Sequence, residues 1–145
     1  MSNSTTATTL AKRLQSSQPY WQTEAGRSLW ETQRACLGPV AESRVAGHSL
    51  EMSMGPALMT MSAIAHPIRW SPTHQLAEND STLVCPPDQL ALPDRCLDVM
   101  VIHHWLEQLT DAHFTLQEAA RVTADNGIMV LFGFNPIGVS GLTRQ

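Results

Sequence analysis

The residues best suited to chemistry stand close together late in the chain: His103, His104 and Glu107, in the stretch VIHHWLEQ. Two imidazoles and a carboxylate within five residues offer two kinds of chemistry. One is metal ligation, because His103 and Glu107 lie four apart and share a face wherever the chain is helical. That spacing matches no standard zinc signature, and a third ligand would have to come from His66, His74 or His113, far away in sequence. No metal site is expected. The other is general acid–base work by His103 or His104 at the end of a strand. Against it stands a plainer reading, a polar strand end whose imidazole is merely hydrogen-bonded. No G-x-S-x-G elbow or phosphate-binding loop occurs, which removes hydrolase and NTPase readings.

A second constellation lies at residues 48 to 59, HSLEMSMGPALM. An apolar strand from His48 to Met54 runs into Gly55, and Pro56 stands where the first turn of a helix tolerates proline. That helix is expected to continue through PALMTMSAI and to end near His66-Pro67. Nucleotide-binding strand–turn–helix units begin this way, but this turn holds one glycine where such sites hold two or three.

The elements that must position these groups follow from hydrophobic period. A short helix is expected over residues 7 to 16, with a break at Gln18-Pro19, so residues 1–18 form a flexible start and 19–145 one domain. A longer helix is expected from Thr23 to Leu37, with Trp21, Ala25, Leu29 and Cys36 on its apolar stripe and Gly38-Pro39 as its stop. Short strands follow at Ile68 to Ser71 and Ser81 to Cys85. Leu97 to His103 is a nearly continuous apolar run, as in a parallel strand covered on both faces. Asp111 is placed to cap a helix to about Thr123, with Ala112, Leu116, Ala119 and Ala120 inward. Asp125-Asn126-Gly127 turns the chain into a last strand, Ile128 to Phe134. Strands alternating with helices predict an α/β domain, a Rossmann-like parallel sheet.

Composition narrows the function classes. The chain has 145 residues, 43% hydrophobic and 15% charged, enough for one domain with a buried core. A net charge of -4 argues against a nucleic-acid-binding face. No apolar run reaches membrane-spanning length, so no membrane association is expected. Cys36, Cys85 and Cys96 form no C-x-x-C pair, which suits a reducing, cytoplasmic setting.

The segment from Leu90 to Pro136 resembles the second half of class I S-adenosylmethionine-dependent methyltransferases, of the type 11-like group of small-molecule enzymes, and the resemblance as a whole extends over residues 19–145. The matching pieces are Leu92-Pro93 with Leu97-Asp98, then His104-Trp105-Leu106-Glu107, then Gln117 to Val122 with Asn126-Gly127. The GFNP ending (133–136) and the early YWQTEAGRSLWETQ are similar to one bacterial branch of that group. The resemblance implies strand order 3-2-1-4-5, with S-adenosylmethionine at the carboxyl ends of strands 1, 2 and 4.

It also assigns cofactor positions, and several hold unusual residues. Glu51 takes the acidic position of strand 1, Ser53 replaces the first glycine, and Met54 and Gly55 complete the loop. Ser71 stands where a carboxylate normally accepts both ribose hydroxyls, with no carboxylate before Glu78. Pro86 stands where an aspartate normally accepts from the adenine amino group, with Asp88 two residues on. Trp70 either stacks on an adenine or belongs to the core, and His103 lies beside the cofactor. The resemblance further implies a missing helix and β6/β7 hairpin, which leaves the apolar strand 128–134 with an unpaired edge. Two readings follow. In one, the protein is a degenerate methyltransferase acting as a homodimer or partner subunit. In the other, it is an active methyltransferase on a small molecule, its site completed by a second chain.

Overall fold

The computed structural model describes residues 3–44, 47–59, 65–77 and 82–133, with side chains from residue 6 onward. Two helices open the chain, α1 (Asn3–Gln22) and α2 (Glu24–Glu42). Five strands follow: β1 (His48–Ser53), β2 (His66–Ser71), β3 (Thr82–Val84), β4 (Leu97–His103) and β5 (Thr123–Phe132). One further helix, α3 (Ala112–Val122), separates the last two. The strands form a single parallel sheet in the order β3-β2-β1-β4-β5. The order is the expected one, and the fold is Rossmann-like.

Strand β4 is the centre of the core, and period two explains how. Met100 and Ile102 face one layer with Leu50, Met52, Trp70, Trp105, Ala119 and Val122. Val99 and Val101 face the other, with Leu37 and Ala41 of α2 and with Leu58 and Met59. Every one of these β4 side chains is fully buried, as the apolar run required. Between α3 and the loop before β4 lies a polar clamp. Arg121 donates to Glu118, to Asp94 and to the carbonyls of Leu90 and Leu92, and Glu118 accepts from Leu90 N. The E-x-x-R of the family pattern is therefore scaffold, binding a loop to a helix.

Several element boundaries differ from the sequence expectation. The expected break at Pro19 lies inside α1, as does residue 18, the expected boundary of the flexible start. Leu10 and Trp21 are buried and Leu14 packs beside them, while Ser17 Oγ and Gln18 Nε2 both bond the Leu14 carbonyl in the disturbed turn. The chain turns at Thr23 instead, whose hydroxyl caps Gly26 N at 3.0 Å. Gly26 is required there, because a Cβ would stand 2.1 Å from the Tyr20 carbonyl oxygen. Pro39 likewise fails to stop α2, since Leu37 and Ala41 on either side of it are both held against the sheet.

The stripe of α2 is also shifted by one position. Gly26, Gln33, Leu37 and Ala41 are buried, whereas Ala25 and Cys36 are exposed. In α3 the inward set is Thr115, Ala119 and Val122, with Ala120 exposed and no side-chain cap from Asp111. The Asp125-Asn126-Gly127 segment lies inside β5 as an irregularity: Leu97 pairs with Thr123, and Val99 with Ile128. The proposed helix over 56–66 is not found among the described residues. Residues 54–59 form a turn, 60–64 lie outside the description, and His66 already begins β2. Phe134 and the tail to Gln145, with all of the GFNP ending except Gly133, also lie outside it.

These packing differences carry a direct expectation. Ile102→Ala should cost about 2–5 kcal/mol in urea unfolding, because it empties a fully buried site. Phe114→Ala should change stability by less than about 0.5 kcal/mol, because Phe114 is 51% exposed.

Candidate functional site

The carboxyl ends of β1, β2 and β4 meet the corner between α1 and α2. Glu51 is buried in β1, and its carboxylate accepts three hydrogen bonds: from Ser53 Oγ at 2.7 Å, Leu58 N at 2.7 Å and Met59 N at 2.9 Å. A buried carboxylate that collects backbone donors acts as a brace. It folds the turn of residues 54–59 back onto the strand. Ser53 Oγ also accepts from Arg69 of β2 at 3.0 Å, and the same guanidinium nitrogen reaches the Gly55 carbonyl at 3.3 Å. Arg69 pairs with Glu51 in register across the sheet.

Trp21, at the end of α1, closes over this turn. A Cβ on Gly55 would stand 2.9 Å from the Trp21 ring, so this glycine serves the approach of an indole. The indole also packs against His103 (5.0 Å between ring centroids) and His104 (5.8 Å). Ser17 Oγ and Gln18 Nε2 hold α1 down by donating to the Met54 carbonyl at 3.3 and 3.0 Å. Trp21 Nε1 is buried with no hydrogen-bond partner.

The two histidines are joined by a residue of α2. His103 Nε2 lies 2.7 Å from Gln33 Oε1, and Gln33 Nε2 lies 2.9 Å from His104 Nε2. The amide accepts from one ring and donates to the other. His104 Nδ1 then carries the proton it shares with Glu107 Oε2 at 3.1 Å. Glu107 therefore pairs with His104, three residues away, and not with His103 as a four-residue spacing had offered. Both imidazoles are held neutral. Burial lowers the pKa of His103 to about 3, assisted by His104 and Arg69. Burial also lowers that of His104, with Glu107 pulling upward. His103 Nδ1 is buried without a partner. His104 sits at φ 61, a left-handed turn made without glycine.

The remaining expected positions are dispersed. Ser71 Oγ donates to the Thr73 carbonyl at 2.7 Å, so the end of β2 presents a hydroxyl turned onto its own backbone. Pro86 starts a turn closed by Gln89 N, and Asp88 is exposed in it. Trp70 belongs to the core, edge-on to Trp105 at 5.0 Å, and donates to the Cys85 carbonyl. Glu78 lies outside the described residues. A cavity of ≈ 200 Å³ opens between Ser53, Gly55, Arg69, Trp70 and Ser71. Among the described residues no three His, Cys, Asp or Glu side chains converge. Sequence reasoning missed Gln33 and Arg69. A glutamine in an amphipathic helix reads as surface, and the only signal for Arg69 was a charge inside a short apolar strand.

Residues 61–131 match a family model described as a methyltransferase domain. The fold is similar to that of the YcgJ protein from Bacillus subtilis, with a TM-score of 0.60 and 17% identity over 70% of this chain and 50% of that one. Part of the chain thus resembles a methyltransferase domain, carried on a Rossmann-like fold. A putative S-adenosyl-L-methionine-dependent methyltransferase from Methanococcus maripaludis has a related fold, with a TM-score of 0.51, 15% identity, and coverage of 75% of this chain and 63% of that one. The uncharacterized protein YafS of Escherichia coli K12 is 46% identical over 59 residues, 39% of this chain and 25% of YafS. The methyltransferase-like domain thus spans less than two thirds of each of these proteins. No helix among the described residues is long and apolar enough to cross a membrane.

The group such folds bind can be tested against the residues present. S-adenosylmethionine calls for a carboxylate at its ribose hydroxyls and a loop that admits its methionine arm. Here Ser71 and Pro86 offer no carboxylate, and the loop glycine is covered by Trp21. The ≈ 200 Å³ cavity is also below the ~300–1,000 Å³ usual for cofactor-sized ligands. The described residues do not fit S-adenosylmethionine.

The imidazole network sets a pH dependence. His103 has a lowered folded pKa, so the unfolded chain binds more protons between about pH 3 and 6.5. The contribution of His103 to stability is complete above pH 6.5 and is lost as pH falls through that window. From pH 7 to pH 5, His103 alone should remove about 2 kcal/mol of unfolding free energy. His103→Asn should flatten that slope in urea titrations at the two pH values, whatever its stability at pH 7.

Proposed function

We propose that this protein is a catalytically degenerate methyltransferase-like protein that acts by association, as a homodimer or as the partner subunit of another protein. The observation that carries the reading is Trp21, packed on Gly55 and on both imidazoles, in the space a methyl donor would need. The degenerate positions Glu51, Ser53, Met54, Gly55, Ser71, Pro86, Asp88 and His103 support it, each engaged in structure or turned to solvent. His104 is not suited to general base work while Gln33 and Glu107 occupy both its nitrogens, and burial leaves His103 only weakly basic.

Association is supported by β5. Among the described residues it pairs with β4 alone, and Leu131 is 47% exposed. A parallel edge of this kind pairs with a second copy or a foreign strand unless it is covered. The three free cysteines support a reducing, cytoplasmic setting.

A second reading, an active S-adenosylmethionine-dependent methyltransferase with a site completed by a second chain, is favoured by one observation. Trp21 Nε1 and His103 Nδ1 are buried without partners, and a ligand would pair them.

Calorimetric titration with S-adenosylmethionine and S-adenosylhomocysteine separates the two. Two lost charged hydrogen bonds at roughly 1.5–3 kcal/mol each should weaken binding about a thousandfold, to no better than ~1 mM. Micromolar binding would sink the degenerate reading. Trp21→Ala should improve affinity by less than about tenfold if the polar contacts are the larger loss. For association, light scattering should give twice the chain mass or a co-purifying partner, and Leu131→Asp should reduce either. A lone monomer at every concentration, with nothing co-purifying, overturns that half of the proposal.

A further inference from the structure

A second pair of imidazoles stands at the amino ends of the strands, at the opposite end of the sheet from the cleft. His48 opens β1, His66 opens β2, and the two are direct partners in the parallel register. Their ring centroids lie 4.7 Å apart, with the planes 23° from parallel, and both residues are exposed. The buried pair, His103 and His104, is tied together by Gln33. Among the described residues neither the His48 ring nor the His66 ring has a hydrogen-bond partner.

The backbone fixes this exposed pair. His48 N donates to Asp98 Oδ2 at 2.9 Å, and His66 N donates to the Gly47 carbonyl at 3.1 Å. Side chains held opposite each other on neighbouring strands lose little freedom when both meet one ligand. The Asp98 carboxylate also places negative charge beside the start of β1, which favours a cation there. Arg44 is directed elsewhere, donating to the Asn126 carbonyl of β5, two strands from β1.

The separation suits a single metal ion. Metal–nitrogen bonds of about 2.0–2.1 Å, with each ring centre about 1.1 Å further on, put two imidazoles at about 90–110° with centroids about 4.5–5.2 Å apart. The observed 4.7 Å falls within that interval. The rings are too nearly parallel as they stand, and a turn about χ2, a broad torsion in histidine, brings two nitrogens toward one point. Among the described residues no third side chain joins them, so water completes the coordination, as mixed nitrogen and oxygen sites of nickel and copper allow.

We propose that His48 and His66 form a two-imidazole site for a late divalent transition-metal ion, of the nickel, copper or zinc kind, which staples β1 to β2. The site uses no residue of the cofactor cleft, so it stands or falls independently of the degenerate methyltransferase reading.

The test uses the full chain without an affinity tag, titrated calorimetrically near neutral pH with Ni2+, Zn2+ and Mg2+. Ni2+ and Zn2+ should bind saturably at one ion per chain, and Mg2+, which prefers oxygen ligands, should not. The bound ion should raise the midpoint of thermal unfolding, because the unfolded chain does not hold the two rings together. His48→Ala and His66→Ala should each lower Ni2+ affinity about tenfold or more. The double variant should lose little beyond either single one, as a chelating pair requires. His113→Ala and Cys36→Ser, at exposed positions elsewhere, should leave the affinity unchanged. Equal thermal midpoints in EDTA show that the variants are folded, as expected for exposed side chains. Absence of saturable Ni2+ binding, comparable binding of Mg2+, full affinity in either histidine variant, or an equal loss in His113→Ala or Cys36→Ser would each overturn the proposal.

Discussion

The carboxamide of Gln33 is the contact on which the rest of this site depends. It accepts from one buried imidazole and donates to the next, at 2.7 and 2.9 Å. Two adjacent histidines, if charged, would repel each other in a medium of low polarity. The amide removes that problem by fixing complementary neutral tautomers. It also ties α2 to β4, and the bond from His104 Nδ1 to the Glu107 carboxylate selects the amide's orientation. With α2 fixed, the corner at Thr23 and Gly26 fixes the end of α1, and the indole of Trp21 has one place to go.

That place is the turn after β1, which has its own internal economy. Glu51 gathers Ser53, Leu58 and Met59, and Arg69 holds Ser53 and Gly55 from the neighbouring strand. Each group that might have faced a ligand is turned toward the protein. The result is a polar layer at the strand ends that is largely satisfied from within. A site awaiting a ligand usually keeps donors and acceptors free to meet it. Here the clear exceptions near the imidazoles are Trp21 Nε1 and His103 Nδ1, both next to the indole.

The sheet was legible because it is written in hydrophobic period. LDVMVIH admits little else than a strand buried on both faces, and the alternation of strands with helices implied a parallel sheet, while the strand order came from the family resemblance. The helices were less legible, because Pro19 and Pro39 are strong local signals that burial overrode. Leu10, Trp21, Leu37 and Ala41 are each nearly removed from solvent, and a few such side chains outweigh the ~3 kcal/mol of an interior proline. At residues 56–59, where the helix was expected to start, the described chain forms a turn for a different reason. Nothing in PALM reveals that the carboxylate of Glu51 takes the two backbone donors at Leu58 and Met59. Gln33 was hidden most completely, since polar residues signal surface and only tertiary structure brings two imidazoles to meet one.

Two kinds of loss are mixed at the strand ends, and they differ in kind. At β2 and β3 the difference is chemical: Ser71 bonds its own loop, and Pro86 has no side-chain acceptor to offer. At β1 and β4 the loss is steric, since Trp21 covers a turn whose backbone persists. Steric closure by a helix end is reversible in principle, held here by the bonds of Ser17 and Gln18 to Met54 and by the packing of α1. Opening it would leave two buried histidines more exposed to solvent and to protons, a state that acid would favour. The adenosine side would gain nothing from that movement. A chain under selection to bind the cofactor would have kept both halves, whereas one retained for its surface needs neither.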